Sequence, residues 1–301
     1  MKRWITYQKE RFPILAYLPM MAIFGFSGLS YSLHLNNEHA KVSDIPILSY
    51  IVAILITLFW FMLIRIADEH KDFKEDSEHR PYLPVQRGLV TLKELRIIGL
   101  VLGGLQVALI ILIDWRLLLM LAVVYLWFFL MCKEFFVPNW LKAHHTLYLI
   151  SHMFIMFFLT FLITSMEWLP RGGVFHAAIL LYMISSFCDG TIIEVGRKLR
   201  AKENEEYGVD TYTQIWGPKR AMVVWMICLT ISGASTIVAG YQVGVGRIAF
   251  IILGLFYLFA VLIAIRFAKD SSPKNAKVFK VFPGLWMMLM YVILGIIPFF
   301  M

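Results

Sequence analysis

The sequence predicts an all-α fold of membrane-spanning helices, on three observations. Of its 301 residues 60% are hydrophobic, with a mean hydropathy of +0.73, whereas soluble domains sit nearer half apolar. The apolar residues fall into nine stretches of roughly 20 residues, the length that crosses a bilayer as a helix. Charged residues make up only 16% of the chain, and little is left over for a soluble domain.

The nine spans lie at about 14–33, 47–66, 95–113, 115–132, 146–166, 173–193, 220–240, 247–267 and 279–300. The first lacks the small-residue cleavage site of a secretory signal and counts as a mature helix. Two long polar loops, 67–94 and 194–219, follow the second and sixth spans. Their spacing predicts one domain (1–301) of two four-helix halves, about 1–145 and 146–270, with a ninth helix over 279–300. Each loop carries acids, then bases, then a Gly/Pro signal: Arg87-Gly88 in one, Trp216-Gly217-Pro218 in the other. Pro81 and Pro84 end an acidic helix. Thr91, with Glu94 three residues on, forms a capping box that opens the next one. The segment 133–145, rich in Phe, Trp, Lys and His, reads as an interfacial anchor, from which Glu134, Asn139 and Lys142 could reach a site. The connections at 114–116, 167–172 and 241–246 are short and structural.

A net charge of +8 could suggest nucleic acid, but the distribution of that charge excludes it as a partner. Of 28 Lys and Arg residues, 24 fall on one side of a nine-span topology; the other side has Lys41, Arg116, Arg171 and Arg247. The positive-inside rule makes the basic side cytoplasmic. The reading is an integral protein of the bacterial inner membrane, N-terminus inside, C-terminus outside, with membrane lipid as its surroundings. Cys132, Cys188 and Cys228 fall in or beside spans without metal-type spacing and read as buried small apolar residues.

Residues 65–88 carry the chemistry. Asp68, Asp72 and Asp76 recur every four residues, which on a helix stacks them on nearly one face. Three stacked like charges repel unless a cation sits among them. Carboxylates suit a hard ion such as Mg²⁺, which typically binds through one or two carboxylates plus substrate phosphates. Arg80 and Arg87 follow, and guanidinium groups suit phosphate oxygens. Acids for a metal and bases for a phosphate, at the end of an apolar span, point to a lipid diphosphate.

A second cluster lies at 185–206. Ser186, Gly190 and Glu194 are spaced by four, so Ser186 and Glu194 share a helix face; Asp189 lies one residue off that line. Their oxygens can complete an octahedral Mg²⁺ site. Arg197 and Lys198, one turn beyond Glu194, suit phosphate. Asp189 and Glu194 should face a polar cavity rather than lipid. His144, His145 and His152 lack zinc spacing. No Walker A loop, dinucleotide fingerprint or Ser-His-Asp constellation is present.

On these motifs the chain resembles the UbiA superfamily of intramembrane prenyltransferases, along essentially its whole length. The family's first motif, N-x-x-x-D-x-x-x-D followed by R-P and a Gly, is matched by Asp68 in the Asn position, then Asp72, Asp76, Arg80-Pro81 and Gly88. The second, usually D-x-x-x-D, is matched by Gly190 and Glu194, with the first acid missing or displaced to Asp189. That departure is also similar to the Asn/Ser/Glu metal triad of class I terpene cyclases. The resemblance implies nine helices around a central cavity, Mg²⁺, a prenyl diphosphate, and ionisation to an allylic cation. Asp68, Asp72, Asp76 and Glu194 are then the catalytic acids. Ser186 and Asp189 join them as candidate metal ligands, and Arg80, Arg87, Arg197 and Lys198 hold the diphosphate. Prenyl transfer to a lipophilic acceptor is the first expectation. A UbiA-type terpene cyclase is the alternative, and a divalent-cation transporter a distant third, since transporters hold ions near the bilayer midplane.

Overall fold

The computed structural model describes residues 2–301. Among them are nine helices long and apolar enough to cross a membrane. They are α2 (Ile14–Asn36), α3 (Ile47–Lys71), α5 (Leu92–Ile113), α6 (Leu118–Cys132), α8 (His145–Trp168), α9 (Ile179–Arg197), α10 (Tyr212–Gln242), α11 (Gly246–Lys269) and α12 (Pro273–Gly295). Three short helices complete the set: α1 (Lys2–Arg11), α4 (Phe73–His79) and α7 (Pro138–Ala143). The described residues contain no strand. The protein is an integral membrane protein of all-α fold.

Successive spans pack on one another, and α12 returns to α2, so the bundle closes on itself. Closure needs a small residue, because a Cβ at Gly295 would collide with Ser27 of α2. Cross-contacts of α2 with α8 and of α9 with α12 fill the middle. The core there is aromatic. Tyr31 and Tyr182 stack at 5.0 Å, and Phe24 meets Tyr291 edge-on at 5.1 Å. Spans α5, α6 and α11 are the least enclosed, with their apolar side chains turned outward, as a lipid-facing helix requires.

Side-chain contacts define two ends. At one end α1 joins the first polar loop through Arg3–Glu94, Arg11–Glu69 and Arg87–Glu10. The two polar loops meet through Tyr82, whose hydroxyl donates to Glu206 at 3.0 Å. At the other end Arg116 donates to the carbonyl of Leu169 and Arg171 to that of Asp44, so three connections are tied together.

Local sequence explains the boundaries. The Thr91–Glu94 capping box forms as expected, with Thr91 Oγ1 accepting from the Glu94 amide and Glu94 accepting from the Thr91 amide. Gly217 breaks α10 with φ +74°, a conformation that favours glycine. The sixth span begins at 179 rather than 173, because 171–178 turns through Gly172 at φ +70°. The ninth runs from 273 to 295 rather than 279–300, because Pro273 opens it at a first-turn position that proline suits. Cys188 is buried, but Cys228 is only half-buried and Cys132 is exposed, so the buried reading of the cysteines holds for one of three. The 3₁₀ turn Glu134–Phe136 and α7 combine both roles foreseen for 133–145: Phe136 and Trp140 point outward while Glu134 is buried.

Candidate active site at the basic end

The first motif is not one continuous helix. Chain α3 ends at Lys71, and Asp72 caps it with φ −90° and ψ 3° before α4 starts. Even so, the amide of Asp72 bonds the carbonyl of Asp68, and that of Asp76 bonds the carbonyl of Asp72. The four-residue register therefore survives the bend. The three aspartates have different surroundings. Asp76 is buried and ion-paired with Arg80, with Arg11 at 3.8 Å. Burial pushes its carboxyl above the usual range, against the pull of Arg80 and Arg11 and with the push of Asp72. Asp68 has only a 3.9 Å approach from Arg65, and its side chain is 43% exposed. Among the described residues, no base or hydrogen-bond donor holds the carboxylate of half-buried Asp72.

Two further acids lie behind this motif. Glu69 is fully buried and takes Arg11 at 2.6 Å and Arg65 at 3.0 Å. Lys71 pairs with Glu134, donates to the hydroxyl of Tyr148, and lies 3.2 Å from His152 Nε2. His152 Nδ1 faces the Tyr148 carbonyl at 2.9 Å, so its Nε2 is free to accept from Lys71. Glu134, Phe135 and Phe136 all adopt positive φ, 48°, 52° and 60°. Each such non-glycine residue costs on the order of 1–3 kcal/mol; the turn they form places Glu134 against Lys71. Tyr148 is within electrostatic reach of Asp68, Asp72 and Glu194 and so stands between the two motifs.

In the second motif Glu194 is held by its own helix end. Its Oε2 accepts from Arg197 Nε at 2.5 Å, and its Oε1 is 3.1 Å from Lys198 Nζ. Arg197 is also within electrostatic reach of Asp68 in the first motif. The structure does not bring Ser186, Asp189 and Glu194 together. Buried Ser186 accepts from the Tyr291 hydroxyl at 3.3 Å. Asp189, also buried, accepts from Ser232 at 2.6 Å between α9 and α10. For Asp189 the physical reason is helical phase, since one residue off the line is about 100° around the axis; Ser186 shares the face of Glu194 but lies two turns, about 12 Å, along it. Nor does Arg87 face the acids: it pairs with Glu10 at 2.8 Å and donates to the Tyr82 carbonyl. Arg80 is occupied by Asp76.

A groove of about 700 Å³ lies between α3, α5 and α6. Leu63, Ile66, Phe128 and the glycines 99, 103 and 104 make it apolar, and Lys71 lies at its basic end. Among the described residues no three His, Cys, Asp or Glu side chains converge on one point. The donor chemistry nonetheless suits a divalent cation at Asp68 and Asp72. They are two open carboxylates one turn apart, and Mg²⁺ is commonly held by one or two carboxylates with waters and phosphates in its other positions.

A nine-span bundle with open acids and bases gathered at one end defines an integral membrane protein whose charged residues cluster beneath apolar helices. The model of the UbiA prenyltransferase family matches residues 39–293, and the chain belongs to that family. No curated protein matches. Solved structures with this fold include a digeranylgeranylglyceryl phosphate synthase, at TM-score 0.62 and 14% identity over 100% of both chains. A UbiA homologue from Aeropyrum pernix K1 aligns at TM-score 0.66 and 14% identity, over 92% of this chain and 95% of that one. A UbiA homologue from Archaeoglobus fulgidus bound to Cd²⁺ aligns at 0.51 and 13%, over 96% and 99%.

Proposed function

We propose that this chain ionises a prenyl diphosphate with the help of a divalent cation, Mg²⁺ by its oxygen ligands, and transfers the prenyl group to a lipophilic acceptor. The observation that carries this is the pair of open carboxylates, Asp68 and Asp72, one turn apart, with Arg197 within electrostatic reach of Asp68. Arg197 and Lys198 draw the diphosphate by charge-assisted hydrogen bonds. The groove supports an apolar tail, because it ends at Lys71, next in sequence to Asp72. A tail seated there brings its head to Lys71, at the first motif. The cation, when bound, neutralises charge on the leaving diphosphate. Arg197 and Lys198 stabilise the same charge as the carbon–oxygen bond breaks. The apolar walls exclude water, which would otherwise quench the allylic cation. The basic end faces the cytoplasm, where a soluble diphosphate headgroup is supplied, and the surrounding membrane is a bacterial inner membrane.

The test is to incubate the purified protein with geranyl, farnesyl and geranylgeranyl diphosphate and Mg²⁺, without acceptor and then with lipophilic acceptors. Diphosphate release only when an acceptor is added supports transfer. Cyclic hydrocarbon or alcohol without acceptor replaces it with a terpene cyclase. Divalent-cation flux in vesicles without diphosphate release replaces it with a transporter.

A further inference from the structure

Residues 190–198 of this chain do not fit a metal ion. Gly190 stands one turn before Glu194, where the family pattern has an acid, and it brings no oxygen. The space beside it is also closed. A Cβ at Gly190 would lie 2.9 Å from Met156 Cγ and 3.4 Å from Met153 Sδ, so two thioether side chains of α8 wall off that face. The neighbouring acid does not substitute. Asp189 is turned to Ser232, which in turn accepts from the indole of Trp286 at 3.0 Å. Glu194 is thus alone, and its two oxygens are occupied by Arg197 and Lys198. One acid and two bases leave a net positive charge, which repels a divalent cation and attracts an anion.

We infer that the two motifs have divided the work: the divalent cation is held by Asp68 and Asp72 alone, and the second motif is an anion clamp that grips the diphosphate directly. Arg197 and Lys198 are the gripping residues. Glu194 is a positioning residue that holds both bases at the pocket while it is empty and releases them to phosphate oxygens. The inference rests on the proposed function for the presence of a diphosphate and differs from it in assigning no metal to the second motif.

The experiment uses the full chain in detergent or nanodiscs with two probes, Mn²⁺ followed by electron paramagnetic resonance and inorganic pyrophosphate followed by calorimetry. Wild-type protein should bind one Mn²⁺ per chain. Asp72→Asn should weaken Mn²⁺ by about tenfold or more while pyrophosphate, measured without metal, still binds. Arg197→Ala should weaken pyrophosphate by about tenfold, the loss of one charge-assisted hydrogen bond, and leave Mn²⁺ unchanged. Each variant's retained ligand shows that it is folded. Glu194→Gln should leave Mn²⁺ affinity unchanged and bind pyrophosphate at least as tightly as wild type. The inference is overturned if Glu194→Gln weakens Mn²⁺ as Asp72→Asn does, or if wild type binds two Mn²⁺ and the variant one. If Asp72→Asn leaves Mn²⁺ binding untouched, or if no Mn²⁺ binds to wild type, the first metal site of the proposed function fails and this inference falls with it.

Discussion

Glu167 and Asp72 are both carboxylates at the end of a span, at opposite ends of the bundle, and they are treated in opposite ways. Glu167 is buried, and both its oxygens are used: Ser32 donates at 2.8 Å, Asn36 at 3.3 Å, and Arg171 approaches at 3.4 Å. Among the described residues half-buried Asp72 has no donor, and its neighbour Asp68 has only a distant arginine. Buried polar groups are normally paired, because an unpaired one costs about 1–3 kcal/mol. A chain that pairs one acid fully and leaves two others open, one turn apart, has left room for something else to neutralise them. On the proposed function, the first acid is part of the scaffold and the other two serve the chemistry.

The comparison is broken most directly by removing the open acid. Asp72→Ala should lower diphosphate release by on the order of a thousandfold, the several kcal/mol that a metal's charge stabilisation supplies. Its unfolding temperature should not fall, because the side chain makes no contact that the fold uses. Near-normal turnover at saturating Mg²⁺ would show that an unpartnered acid here has no function.

Glu167→Ala should do the reverse. It strands Ser32, Asn36 and Arg171 and should cost about 1–3 kcal/mol of stability, read as a lower midpoint in thermal or denaturant unfolding. The KM for the prenyl diphosphate should stay at the wild-type value. A stability loss with a changed KM would mean that the far end of the bundle reaches the site.

Much of this division was legible in the sequence, and the rest was not, for a physical reason. Span positions and the Thr91–Glu94 cap follow from periodicity and local hydrogen bonding, which depend on residues a few positions apart. The register of Asp68, Asp72 and Asp76 is likewise local, and it survives the break between α3 and α4. The partners of these acids are not local. Glu69 meets Arg11 across 58 residues, and Lys71 meets His152 across 81; no pattern within one helix encodes such pairs. The phase of Asp189 had a signal, since an offset of one residue turns a side chain to another face. What it turned towards, Ser232 on α10, only the fold reveals. Arg87 reads as a phosphate ligand because bases follow acids in the loop; its pairing with Glu10, 77 residues away on α1, is outside any local pattern.

A third acid separates the effect of partners from the effect of location. Glu94 lies at the same end as Asp72 but is satisfied like Glu167, by the amide and hydroxyl of Thr91 and by Arg3. Thr91→Ala removes a helix cap and should cost about 1 kcal/mol of stability without changing turnover at saturating diphosphate. If turnover falls in proportion to stability, location rather than pairing decides which acids serve the chemistry.

The smallest effect is expected at Arg87. Its guanidinium holds Glu10 at 2.8 Å, and both side chains are 39% exposed, so the pair is the kind that contributes only about 0.2–1 kcal/mol. Arg87→Ala should therefore change the KM for the prenyl diphosphate by no more than about threefold, well short of the roughly tenfold loss that one charge-assisted hydrogen bond represents. Glu10→Ala should match it, because either change frees α1 from the loop by the same amount. If Arg87→Ala raises the KM tenfold while Glu10→Ala does nothing, Arg87 leaves Glu10 when the diphosphate arrives. The base then belongs with Arg197 and Lys198 rather than with the scaffold.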